Sequence, residues 1–252
     1  MSGATRTTSG SDLIASIAGR RPARNLHAQV IHRLGVAIVG GKYAEDSILP
    51  ADADLLQDLK VSRTVLREAL KTLAAKGLIE ARARVGTRVL PRSRWNLFDS
   101  DVLAWHFETG PSVPFLRSLS EVRIGIELES AALAAARRTV GQAAALGEAA
   151  RQMGAARTPE AFARADLAFH RLVAEASGNP FMESISALVE VALTAMFTIS
   201  SPVHSAEQLA GTAAAHGRIA AAIEAGDVDE AREAMRAVIS DGFARAAGGM
   251  AG

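Results

Sequence analysis

No cysteine occurs anywhere in the 252 residues. That excludes a disulfide framework and a thiolate metal site, so any metal must be held by His, Asp or Glu, and it points to an intracellular, cytoplasmic setting. Long hydrophobic runs are missing too: even the stretch from Ala187 to Ile199 is interrupted by Glu190, and nothing reaches the ~18 apolar residues of a spanning helix. An integral membrane protein is thereby excluded. The apolar patch Leu13 to Ala18 precedes Arg20-Arg21, the wrong charge order for a secretory leader, and residues 1–23 and 247–252 read as disordered tails. Aromatics amount to only 4%, and the slightly positive mean hydropathy comes largely from alanine.

The net charge of +1 conceals an asymmetry. Residues 1–94 carry 16 basic and 8 acidic side chains, and residues 95–252 carry 12 and 19. The first part suits a polyanion and the second does not.

From Leu26 onward, Leu26, Val30, Leu34 and Ile38 recur every four positions, one face of a helix that Gly40-Gly41 ends. After Leu49-Pro50-Ala51-Asp52, the pattern Leu55, Leu56, Leu59 predicts a two-turn helix. Ser62 then reads as the N-cap of a helix from Arg63 to Ala75, with Val65, Leu66, Ala69, Leu70 and Leu73 inward and Gly77 as its stop. Leu78 to Leu90 reads as two short strands around a basic loop. Three helices and a two-stranded wing make a winged helix-turn-helix over residues 24–91. In its third helix Arg63 and Arg67 lie four apart at the exposed N-terminal end, where they can offer forked guanidiniums to guanine or phosphate. In the wing, the alternation of Arg82, Arg84 and Arg88 predicts one basic face. Residues 92–110 read as a linker, with Trp95 and Trp105 packing the two domains together.

Residues 111–246 show no strand signal. Alanine-rich segments of helical period, broken near 139–141, 154–159, 177–180, 200–202 and 226–227, predict about six helices in an antiparallel bundle. The fold class is therefore mostly α, a winged helix-turn-helix followed by an all-α bundle.

These residues carry resemblances. Leu49-Pro50, Val61-Ser62-Arg63-Thr64-Val65-Leu66-Arg67-Glu68-Ala69-Leu70, Gly77-Leu78-Ile79 and Gly86-Thr87-Arg88-Val89 resemble the N-terminal domain of GntR-type bacterial transcription factors. The resemblance implies base and backbone reading by Arg63 and Arg67, phosphate contact by Thr64 and minor-groove entry by the wing. The candidate DNA-contacting set is Ser62, Arg63, Thr64, Arg67, Arg82, Arg84, Thr87 and Arg88. One departure is Asp52-Ala53, where the family usually has an acidic residue followed by an arginine, so one expected DNA contact is missing. Glu121-Val122-Arg123 with Glu127, then Asp166 to His170, then His216 with Gly226-Asp227, are similar to the FCD ligand-binding domain of the FadR-like subfamily, a helical bundle and its usual dimerisation unit. The junction Arg94 to Trp105 resembles sugar-acid regulators of the galactonate-operon type.

From these resemblances follow a homodimeric repressor of a carbohydrate-acid or organic-acid catabolic operon, a palindromic double-stranded operator and a small carboxylate effector. Asp166 and His170, spaced i, i+4, can converge on one ion, and His216 completes a set for Zn²⁺, Ni²⁺ or Mn²⁺. Metal-binding FCD domains add a further histidine where this chain has Val238, so coordination positions stay open for an effector. The same residues also fit a plain polar pair with His216 apart. Arg123 beside such a site suits a carboxylate, with Glu127 orienting or neutralising it; by spacing alone the two are an ordinary surface pair. His27, His32, His106 and His204 have no partner pattern. Two rivals stay open at this point: a metal-dependent enzyme with an Asp/His/His set, and a DNA binder without an effector.

Overall fold

A computed structural model describes residues 25–199 and 201–250, so the N-terminal tail expected at 1–23 lies outside the described residues. The chain divides into two compact units, the first ending at Pro111 and the second beginning at Ser112.

In the first unit, helix α1 (Leu26–Val39) is capped by Asn25, whose side chain accepts from the Ala28 N–H at 2.7 Å. Its stripe buries Val30, Leu34 and Ile38, while Leu26 stays exposed. Helix α2 (Asp52–Leu59) and helix α3 (Arg63–Ala75) are joined by a tight turn in which Lys60 takes a left-handed conformation, φ 55°. Ser62 caps α3 by accepting from the Val65 N–H at 3.3 Å. Gly77 stops it at φ +78°, where a Cβ would stand 2.3 Å from the Arg94 carbonyl oxygen, so only glycine fits. Strand β1 (Ile79–Arg82) pairs antiparallel with β2 (Gly86–Val89), Glu80 facing Arg88. Ile48 bridges to Arg88 and the Leu49 N–H donates to the Thr87 carbonyl at 2.8 Å, a third lane that sequence reading missed.

The segment expected as a linker is part of this unit. A short 3-10 turn (Arg92–Arg94) leads to helix α4 (Ser100–Glu108), which packs on α1. Asp99 caps α4 and, with Asp101, holds Lys76 Nζ at 2.7 and 2.9 Å. Trp105 fills a notch at Gly35, and the Trp95 indole N–H donates to the Leu90 carbonyl at 2.9 Å. Both indoles, expected to pack two domains together, are buried in the first unit's own core. Burial of two large rings is what converts the linker into structure.

In the second unit the six helices fall between the predicted breaks: α5 (Val113–Arg137), α6 (Val140–Ala155), α7 (Pro159–Ala176), α8 (Pro180–Ile199), α9 (Ala206–Ala225) and α10 (Val228–Gly249). Thr139 and Gln142 close a capping box at the start of α6. Of the tail expected at 247–252, residues 247–249 belong to α10 and 251–252 lie outside the described residues. Helix α5 packs on α10, and α6 on α7 and α9. Alanines such as Ala131, Ala135, Ala163 and Ala234 let backbones approach closely around Phe162, Phe169, Leu146 and Met153. Among the described residues no helix is long and apolar enough to cross a membrane.

Candidate DNA-reading face and metal centre

The winged unit presents its arginines unequally. Arg63, Thr64 and Arg67 are exposed on the first turns of α3, with Leu66 and Ala69 buried behind them. Ser62 is exposed too, though its hydroxyl is engaged in the cap. The wing departs from the expected alternation because β1 ends at Arg82 and β2 starts at Gly86, which leaves Arg84 in the connecting turn at φ 62°. Arg82 and Arg88 do share a face, but with Glu80: Arg82 Nε lies 2.7 Å from its carboxylate, and Arg88 pairs with both Glu80 and Asp46. Thr87 is half-buried and its carbonyl is taken by Leu49. The cationic tip of the wing is thus Arg84, and Arg88 staples the wing's base.

In the bundle, helix α7 brings Asp166 and His170 to one face and α9 presents His216 to it; all three are buried. One ligand atom from each lies within 4.8 Å of the others. His216 Nδ1 stands 2.8 Å from the Thr212 carbonyl, which can only accept, so Nδ1 carries the hydrogen. His170 Nδ1 stands 2.6 Å from Glu127 Oε2. Burial pushes the Glu127 carboxyl up, yet the charges of Arg123 and His170 prevail and hold it at about 2, so this contact also places the hydrogen on Nδ1. Each imidazole therefore turns Nε2 inward. His216 Nε2 is 3.2 Å from Asp166 Oδ1 and His170 Nε2 is 3.8 Å from Asp166 Oδ2.

Nε2 of both histidines and Oδ2 of Asp166 are buried with no hydrogen-bond partner among the described residues, and the close approach of His170 Nδ1 to Glu127 Oε2 is an ion pair without hydrogen-bond geometry. Lone pairs facing a carboxylate repel unless a proton or a cation lies between them. Burial lowers the His170 pKa, but Glu127 and then Asp166 outweigh it and raise it above the ordinary value; Asp166, pushed up by burial, is drawn down further by His216 and His170. The site favours positive charge, and two imidazoles with one carboxylate suit a borderline divalent ion. His170 and His216 are each oriented through the far nitrogen, as metal-ligating histidines are.

Arg123 and Glu127 are 2% and 5% exposed, so they are a buried pair and not a surface one. Arg123 Nε–H donates to Glu127 Oε1 at 2.6 Å. The void on that side, lined by Glu127, His170 and Met182, holds about 10 Å³, room for one water. A larger cavity of about 210 Å³ lies on the other side, between α9 and α10, and includes Thr212, Val238 and Arg245. Sequence reading missed Arg245, for it has no motif around it. Its Nε is buried without a hydrogen-bond partner; burial lowers its pKa, and the Asp241 carboxylate, then that of Asp166, act on its charge in the opposite direction.

Comparison with known proteins agrees with both halves. Residues 26–89 match the gntR family of bacterial regulatory proteins and residues 118–241 match the FCD domain. The chain is 36% identical to the galactonate operon transcriptional repressor of Escherichia coli over 67% of its own length and 74% of that protein's. It is 34% identical to the uncharacterised E. coli regulator YieP, over 69% of this chain and 77% of that protein. The Listeria monocytogenes protein Lar, which controls expression of the agr system, has the same fold: 18% identity, TM-score 0.56, 90% of this chain and 98% of that one covered. With both matching domains and the relatives named above being those of transcription regulators, this chain belongs to the gntR family of bacterial transcriptional regulators, in its FCD-bearing branch.

Proposed function

We propose that this regulator is a cytoplasmic, homodimeric repressor of a sugar-acid or related organic-acid operon, released from a palindromic operator when an acid binds over a divalent metal in its bundle. The carrying observation is the convergence of three buried, unpartnered donor atoms on Asp166, His170 and His216. These residues would hold Zn²⁺, Ni²⁺ or Mn²⁺, which supplies a Lewis-acidic anchor for a carboxylate or hydroxyl. Glu127, held by Arg123, orients His170, and the Thr212 carbonyl orients His216. The effector occupies the cavity of about 210 Å³, with its carboxylate answered by Arg245; Arg123 and Glu127 act behind the metal rather than on the acid. Ser62, Arg63, Thr64 and Arg67 enter the major groove, and Arg84 at the wing tip, flanked by Arg82, Thr87 and Arg88, enters the minor groove. The relative named for the galactonate operon supports the acid class.

Elemental analysis of protein purified without chelator or metal-affinity tag tests this reading, paired with melting shifts over a panel of sugar acids. Near-stoichiometric metal in the wild type and none in His170→Ala is expected. A metal-free wild type whose acid affinity ignores added Zn²⁺, Ni²⁺ and Mn²⁺ would overturn it.

A further inference from the structure

We infer that Asp241 makes the α9/α10 cavity selective for polyhydroxylated monocarboxylates and closes it to dicarboxylates; the inference rests on the reading of that cavity as the effector site. Val238, Asp241 and Arg245 recur at three- and four-residue spacing, so one face of α10 forms a wall of the cavity. Asp241 is exposed and stands i, i+4 from Arg245; its charge acts on the guanidinium, yet no ion pair joins the two among the described residues, and Arg245 Nε is left without a hydrogen-bond partner. One wall thus carries a cation and a carboxylate whose Cβ atoms stand about one helix turn apart, ~5–6 Å. A polyhydroxylated acid can give its carboxylate to Arg245 and a hydroxyl to Asp241.

The facing wall is consistent with this. Gln208, Gly211 and Thr212 of α9 line it, so a side-chain amide is at hand for a further hydroxyl. Gly211 adds no side chain to this wall, and a Cβ there would meet nothing within 4 Å, so the cavity is open on that side. Once one carboxylate has taken Arg245, a second at the far end of the ligand would confront the Asp241 carboxylate, while a hydroxyl there donates to it.

Calorimetry on the full chain, loaded with one metal, tests this with hexonic acids and the hexaric acids of the same stereochemistry, on wild type, Asp241→Asn, Arg245→Met and Gly211→Leu. The wild type is expected to favour at least one hexonate over its hexarate by about tenfold, with the ratio shrinking as salt rises. Asp241→Asn should bring the ratio to within about threefold, chiefly by admitting the diacid. Arg245→Met and Gly211→Leu should lose both ligands while retaining metal. A wild type that binds hexonate and hexarate alike, or an unchanged ratio in Asp241→Asn, overturns the inference and leaves the effector site standing. If no acid of the panel binds the metal-loaded wild type, the effector-site reading falls with it.

Discussion

Asp166 and His170 could be paired from sequence because four residues on a helix is a fixed geometry. Glu127 could not be assigned to His170 that way, since the two meet only when α5 packs beside α7; nothing local separates a buried Arg123–Glu127 pair from a surface one. Glu127→Gln should therefore weaken metal binding by about 10–100-fold without removing a ligand, as loss of an orienting carboxylate does, which a metal titration by calorimetry reads directly. Val238→His puts a third imidazole, and so a fourth ligand, at the cavity wall and should tighten the metal while weakening the acid, measured in the same way. A different residue governs acid stability. Burial, helped by the Arg92 charge, drops His106 to about 4, so it stays neutral in the folded state while the unfolded chain takes up a proton near ~6.5. Stability present above pH ~6.5 is then lost as pH falls toward 4, by about 1–2 kcal/mol after allowing for the ring's partial exposure. Trp95 and Trp105 are the chain's two tryptophans and both lie in the first unit, so urea unfolding followed by their fluorescence reports on this unit. His106→Gln should flatten that pH dependence; an unchanged slope removes His106 as its cause.

Helix boundaries were legible wherever a side chain or a glycine sets them. Ser62 and Gly77 each place a terminus by local chemistry, and α3 spans the residues its cap and stop predict, while of the Thr139-Gln142 box only the break near 139–141 was read. Helix α4 was not legible as part of the first unit, because its reason for belonging lies 70 residues away at Gly35. A Cβ on Gly35 would stand 2.4 Å from the Trp105 ring, so Gly35→Ala should destabilise the winged unit by about 1–3 kcal/mol, seen as a lower urea midpoint by tryptophan fluorescence. The wing was misread for a simpler reason: alternation holds only inside a strand, and Arg84 sits in the turn. On a selected operator and a random duplex, Arg63→Ala or Arg67→Ala should cost ~1–3 kcal/mol on the operator alone. Arg84→Ala should weaken both DNAs more evenly and reduce the salt slope by about one. Arg88→Ala should cost less than Arg84→Ala, since its charge is already met by Asp46 and Glu80. Fluorescence anisotropy over a salt series separates the three.

At the scale of the whole molecule, the split of charge along the chain announced the division of labour: a basic unit of the DNA-binding family and an acidic bundle that buries the Asp166, His170 and His216 cluster. In the proposed reading the acid binds beside the metal, so each changes the other's affinity by the same factor, expected as a tightening. Coupling of the site to DNA is a free energy of the same kind, typically ~1–3 kcal/mol. The most direct measurement is operator affinity by anisotropy, on a duplex selected from a random pool, for wild type and His170→Ala, each with and without a saturating hexonate and with and without chelator. The expected result is that the acid weakens operator binding by wild type about tenfold or more, and that chelation or His170→Ala abolishes this response while leaving acid-free affinity nearly unchanged. An equal response to the acid in chelated protein and in His170→Ala would contradict a metal-borne effector switch.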